Sequence, residues 1–304
     1  MDIESLNARH SHAGYVTFKQ GPEGFPIALI TTPYATAAIS LYGAHVLSYR
    51  FTDDPNDLLF LSDAAVFREG SAIRGGIPVC WPWFGPDPEG KGRSDHGFAR
   101  TRMWNVAYTM PTRERECVIA LELSETPETL ALWPHPFLLT LKITVGRSLT
   151  LELSTYNRGD TPMEITQALH TYFNVGDIHE TVLGGLEEKR YIDKCDGGNV
   201  SVQQGAIRIT EETDRIYTTS EGETLLLEDK KLDRTIRIDS AGSRSTIVWN
   251  PWIDVCRSKS DLLDNDYTTM LCIETANAAE DRIVLAPQKR HSLKALYSPL
   301  ISKD

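Results

Sequence analysis

The sequence predicts an all-β protein, a large antiparallel sandwich with a few short helices. Three observations predict it. Apolar and polar residues alternate with a period of two, clusters of Gly, Pro, Asn and Asp punctuate the runs at sandwich-like spacing, and helical patterns are few and short.

The alternation is clearest between Leu139 and Leu153. Leu139, Leu141, Ile143 and Val145 are separated by Thr140, Lys142 and Thr144, and after Gly146-Arg147-Ser148 the pattern resumes at Leu149, Leu151 and Leu153. Successive strand side chains point to opposite faces, so this is a hairpin with one buried face. Tyr15–Phe18, Ala37–Tyr49, Val118–Leu123, Thr235–Ile238 and Thr246–Trp249 read as further strands. Helix is expected around Thr126–Trp133 and over Arg257–Leu263. The stretch from Asp177 to Gln204 reads as loop-rich but keeps apolar residues. With no repeat, low-complexity tract or Pro/Ser-rich linker, residues 1–304 are expected to form one domain.

Composition narrows the function classes. The 304 residues suffice for a large buried core, and 42 acidic against 31 basic residues give a net charge of −11. A polyanionic nucleic-acid partner is therefore not expected. No apolar run approaches the length of a membrane span, and Met1 to Lys19 lack the apolar core of a signal peptide. Cys80, Cys117, Cys195, Cys256 and Cys272 are scattered without a C-x-x-C pair. They read as free thiols of a cytoplasmic protein rather than disulfides or a zinc site. His10 and His12 sit in what reads as a mobile N-terminus, and no metal is assigned to them.

Four segments fit a plain core poorly. In Ala72–Pro78 and Cys80–Pro86, glycines permit tight backbone paths and prolines stiffen them, while Trp81, Trp83 and Phe84 offer flat faces to a sugar's C–H groups. A proline-rich loop closing one end of a sandwich would look the same. Asp95-His96-Gly97-Phe98-Ala99-Arg100 lies in the most basic stretch. Between residues 74 and 102, Arg74, Lys91, Arg93, Arg100 and Arg102 face Asp87, Glu89 and Asp95, a local balance of +2 in an acidic chain. Arginine's planar fork suits phosphate oxygens, although a solvated basic loop is the commoner source of such a cluster. His170 stands among apolar residues in Ala168–Phe173, where a satisfied core histidine is the plainer explanation. Glu274 follows the apolar run Met270–Ile273, and a carboxylate rarely enters such a run without a partner.

Five strings, AIRGGIPVCWPWFGP, HGFAR, ALHTYFNV, TDRIY and CIETA, occur in this order between residues 72 and 276. Together they resemble the aldose 1-epimerase, or galactose-mutarotase-like, superfamily, and more closely its hexose-6-phosphate mutarotase branch. The resemblance implies a single-domain β-supersandwich. It also implies His170 as general acid and Glu274 as general base, placed on opposite sides of the sugar ring. Arg74 would face the substrate, Arg100 the phosphate, His96 would orient the sugar or its loop, and Asp214 would accept hydrogen bonds from ring hydroxyls. Asp95 departs from the pattern, in which a neutral or apolar residue often precedes the HGFAR string, and a carboxylate there would repel phosphate unless Arg74, Arg93 or Arg100 pairs with it. Mutarotation moves only protons, so no cofactor, metal or covalent nucleophile is implied, and Cys80 has no base to activate it. His45 reads as structural. The expected partner is a small hexose phosphate, with no nucleic acid or membrane, and the chain is expected to be a monomer. Three alternatives stay open: a mutarotase of unphosphorylated hexoses, a noncatalytic sugar-phosphate-binding module, and a glycosidase using paired carboxylates.

Overall fold

The computed structural model describes residues 2–300. Two eight-stranded sheets dominate it, with a four-stranded sheet and a two-stranded ribbon alongside, and every pair of strands is antiparallel.

The hairpin predicted from Leu139 to Leu153 lies at the centre of one large sheet. Strands Phe137–Val145 and Leu149–Asn157 both alternate buried and half-buried residues without a break. Leu141 lies opposite Leu153 on one side and Leu121 on the other. Their apolar face joins one continuous core running from Leu6 to Tyr297. Each such leucine removed from water contributes about 1.5–3 kcal/mol.

The site-bearing sheet has Asn199–Val202 at one edge, followed by Arg190–Asp193, Thr213–Thr218, Ser245–Asn250, Met270–Asn277, Gln167–Leu169 and Val79–Cys80. Tyr172–Asn174 also pairs with Met270–Asn277. All eight residues of Met270–Asn277 are buried, so this strand reads as an apolar run without alternation.

Four local expectations are corrected. The run Ala37–Tyr49 is two strands, Ala35–Ser40 and His45–Phe51, because Gly43 and Ala44 both adopt left-handed backbone and turn the chain between them. The helix expected over Arg257–Leu263 is instead Trp252–Ser258. Its start is set by Asn250, whose side-chain oxygen accepts from the Trp252 N–H, and by Pro251 with its ring-fixed φ of −68°. The loop-rich stretch Asp177–Gln204 contains strands Thr181–Gly184, Arg190–Asp193 and Asn199–Val202, each four residues long and too short to show alternation. The N-terminus read as mobile forms helix Ile3–His10, capped by the Asp2 carboxylate accepting from Glu4 and Ser5. His12 then bridges to Val16 and contacts the Thr109 carbonyl at 3.0 Å. The other helix, read around Thr126–Trp133, is found at Pro127–Leu132 with Thr126 as its cap.

Candidate active site

Sheet register explains why distant residues converge. Asp214 lies opposite Trp249, Trp249 opposite Cys272, and Cys272 opposite Tyr172, so these four form a row across one face. Two residues along, Ile216, Ile247 and Glu274 form the next row on the same face. His170 reaches Glu274 because the chain breaks strand geometry between Leu169 and Tyr172. The His170 N–H donates to the Pro78 carbonyl and the Tyr172 N–H to the Gly76 carbonyl, so the Arg74–Pro78 loop anchors the break.

That loop needs its glycines. Gly76 has a φ of +60°, and a Cβ there would lie 2.3 Å from the Val46 carbonyl oxygen and 2.6 Å from the His45 ring. His45 Nε2 in turn binds the Gly75 carbonyl at 2.7 Å, and burial pushes its pKa down to about 4. His45 thus sits beneath the loop as a neutral support. Gly97 is as constrained, with a φ of +71° and its would-be Cβ 2.0 Å from the Trp81 carbonyl oxygen.

All seven residues expected at the site, Arg74, Asp95, His96, Arg100, His170, Asp214 and Glu274, line one cleft of about 220 Å³. At its base His170 Nε2 lies 3.4 Å from Glu274 Oε1, the two residues being 7% and 1% exposed. They stand side by side, where opposite sides of a ring were expected. Adjacency suits the chemistry, because the ring oxygen and anomeric hydroxyl of a sugar hang from the same carbon. His170 Nδ1 and Glu274 Oε2 are buried without a hydrogen-bond partner among the described residues.

Burial dominates the titration of both. It pulls His170 well below the usual histidine value, helped by His96, Arg100 and Arg74. It raises Glu274 well above the usual carboxyl value, with Asp214 adding to the rise and Lys194 and Arg100 opposing it. Both shifts act against an ion pair in the free site and favour a neutral imidazole beside a neutral carboxyl. His96 is held neutral by the same means, its pKa pushed down to about 3 by burial and then by Arg100, Lys194 and Arg74. Its Nδ1 accepts the Gly85 N–H, which leaves Nε2 as the donor.

The cations of the wall differ in commitment. Arg74 donates to Asp261 through Nε and to the Tyr172 hydroxyl through Nη1, at 3.1 and 3.0 Å. Lys194 pairs with Asp214 at 2.9 Å. Arg100 donates to the backbone carbonyl of Asp95 at 2.9 Å. The Asp95 carboxylate itself has no ion-pair partner among the described residues, so the pairing considered for it with Arg74, Arg93 or Arg100 is not formed. Arg93 is instead spent on Asp87 and Glu89, with its guanidinium over the Trp83 ring.

Sequence reasoning missed Lys194, Lys259, Tyr172 and Trp249, which line the same cleft. Tyr172 was legible as the residue two beyond His170. Lys194 becomes visible only once its hairpin is set against Asp214. Lys259 is exposed and follows the helix Trp252–Ser258, with no acidic partner among the described residues. Of the three rings expected to face a sugar, Trp81 and Trp83 are buried in the core, because Trp81 packs edge-on against Phe98 and Trp133. Only Phe84 reaches the cleft, where Trp249 joins it. Cys80 is fully buried and its thiol is pushed up to about 12 by desolvation, which makes it inert. A second cleft of about 330 Å³, lined by Arg190, Tyr191, Tyr217 and Arg244, contains no histidine beside its acids.

A family profile for aldose 1-epimerase matches residues 26–298. An Escherichia coli K12 protein provisionally named glucose-6-phosphate 1-epimerase is 34% identical over 274 residues, 89% of each chain. A protein of Cenchrus ciliaris with the same provisional name is 35% identical over 260 residues, covering 83% of this chain and 77% of its own. A Salmonella typhimurium crystal structure, provisionally described as a mutarotase, superposes with a TM-score of 0.88 at 30% identity over 98% of both chains.

Proposed function

The chain belongs to the aldose 1-epimerase family, and from that premise we propose that it interconverts the α and β anomers of a hexose 6-phosphate, glucose 6-phosphate foremost. It is an isomerase, and the observation that carries the reading is the buried His170–Glu274 pair at the base of a cleft rimmed by Arg100 and Lys259.

The reaction follows from the pair. With the carboxyl proton moved from Glu274 to His170 along the 3.4 Å contact, a carboxylate faces an imidazolium. Glu274 takes the proton of the anomeric hydroxyl while His170 gives one to the ring oxygen. The bond between C1 and the ring oxygen breaks and C1 becomes a carbonyl. Rotation about the C1–C2 bond presents the other face, and the ring oxygen returns to C1. His170 recovers its proton from that oxygen, and Glu274 returns one to the carbonyl oxygen. Atoms and charge balance, and nothing but protons has moved. General acid and base catalysis each contribute roughly 10²–10⁴-fold.

His96 is suited to donate to a sugar oxygen through Nε2, and Asp214 to accept from a ring hydroxyl with the oxygen that Lys194 leaves free. For the phosphate, Arg100 and Lys259 are the stronger candidates, since Arg74 already satisfies Asp261 and Tyr172. Arg74 then faces the substrate as part of a fixed wall.

We read residues 1–304 as one catalytic unit, because a single buried cluster runs from Leu6 to Tyr297. No helix among the described residues is long and apolar enough to cross a membrane. A cytoplasmic setting fits the five unpaired thiols, and a monomer is the expected active form. The test compares anomer exchange of several hexose 6-phosphates and their free hexoses in heavy water. Faster exchange of the 6-phosphates with no deuterium entering carbon supports the reading. Equal rates on free hexoses favour a general sugar mutarotase, and binding without exchange a noncatalytic module.

A further inference from the structure

The acid role of His170 poses a problem that the pair alone does not solve. The imidazole must become cationic in a site where burial, His96, Arg74 and Arg100 all oppose the charge. Its Nδ1 has no hydrogen-bond partner among the described residues to stabilise a second N–H. Among the described residues no carboxylate orients the far nitrogen, and the His170 backbone carbonyl favours the charge only weakly.

What does meet the ring is aromatic. Tyr172 stacks on His170 with centroids 4.8 Å apart and planes 9° from parallel. Trp249 stands perpendicular to both, 6.1 Å from His170 and 6.0 Å from Tyr172. Tyr172 is itself held, being 2% exposed with its hydroxyl accepting from Arg74 at 3.0 Å. An aromatic face carries partial negative charge and attracts a cation lying over it, most strongly where water is excluded.

We propose that Tyr172 is a positioning residue that favours the protonated, acid-competent form of His170 by holding its ring face against the imidazolium. The stacking follows from sequence, since Tyr172 is the second residue after His170 and its backbone is fixed by the Gly76 carbonyl. The charged and titratable groups that bear on the pair are Glu274, His96, Arg74 and Arg100 around His170, with Asp214, Lys194, Arg100 and the buried, neutral Cys80, Cys272 and Tyr297 around Glu274. Of these, Glu274 favours a charged imidazole directly, and the Tyr172 face adds to it without introducing a second anion. A second carboxylate at that place would compete with Glu274 for the proton. An aromatic face does not.

The inference rests on the acid role given to His170 above, and its test separates the two. Three substitutions are compared by kcat, KM and pH profile on glucose 6-phosphate. Tyr172→Phe keeps the face and loses only the bond from Arg74, so the acid limb of kcat should stay in place. Tyr172→Met fills the space without a π face, and kcat should fall about 3–30-fold with KM little changed. The acid limb should move to lower pH, because without the face the imidazole takes up a second proton on the pair less readily. Tyr172→p-cyanophenylalanine keeps the ring's shape but drains its face, so it should fold like Tyr172→Phe and behave like Tyr172→Met. The inference is overturned if the two face-depleted variants match wild type, if kcat falls without movement of the acid limb, or if Tyr172→Phe loses as much as Tyr172→Met. Those results with His170→Asn still inactive would leave the proposed function standing. A wild-type protein that does not speed anomer exchange would remove the function itself.

Discussion

Glu274→Gln isolates the base from the shape of the site. Glu274 is 1% exposed, one oxygen lies 3.4 Å from His170, and the other has no hydrogen-bond partner among the described residues. Glutamine keeps the volume and an acceptor oxygen but cannot take up a proton. The structural cost is therefore small, and the loss should fall on turnover. Losing a general base costs roughly 10²–10⁴ in kcat, or about 2.7–5.4 kcal/mol of barrier. His170→Asn should cost a similar amount. The double variant should lose little more than the worse single, because both residues act in the same proton exchange. The assay follows α-glucose 6-phosphate relaxing to its anomeric equilibrium by NMR, with spontaneous mutarotation subtracted. If Glu274→Gln kept more than about a tenth of the wild-type kcat, the base would lie elsewhere.

The other predictions concern the phosphate, the pH profile and stability. Arg100→Ala and Lys259→Ala should each weaken kcat/KM for glucose 6-phosphate by about 10–150-fold, the worth of one charge-assisted hydrogen bond. The exposed Lys259 should sit at the low end, and equal losses on glucose would show a merely structural role. Measured as kcat, turnover should show no acid limb at the ordinary histidine value of about 6.5, since burial holds His170 well below it. An acid limb at about 6.5 would contradict the assignment. His45 is fully buried with a pKa of about 4, so below about 6.5 only the unfolded chain takes up its proton, and stability falls with pH until the folded pKa is passed. Near pH 5 this amounts to about 2 kcal/mol, and urea unfolding of His45→Gln should show a correspondingly weaker loss than wild type. An unchanged pH dependence would show that His45 is not the group involved.

Strands with one solvated face were legible from periodicity, which is why Leu139–Leu153 was read as a hairpin, found over Phe137–Asn157. The strand bearing Glu274 is buried on both faces and carries no alternation, so its strand character came from its place in the sheet. The seven expected site residues share one cleft because their motifs fall on adjacent rows of one sheet and on two glycine-dependent loops that pack against it. Three features were hidden for a common reason. That Arg74 is occupied by Asp261, that Lys259 has no acidic partner among the described residues, and that His170 lies beside Glu274 are facts of tertiary register. Asp261 and Lys259 lie almost two hundred residues from Arg74, and no local pattern ties them to it.

The central claim is that this pocket accelerates anomer interconversion of a hexose 6-phosphate through His170 and Glu274. Two-dimensional NMR exchange on glucose 6-phosphate labelled with carbon-13 at C1 tests it at equilibrium, where only interconversion of the anomers produces cross-peaks. The account predicts α–β cross-peaks that grow with wild-type protein, stay at the spontaneous level with the His170→Asn/Glu274→Gln double variant, and are weaker for free glucose. Cross-peaks that the double variant enhances as strongly as wild type would contradict it.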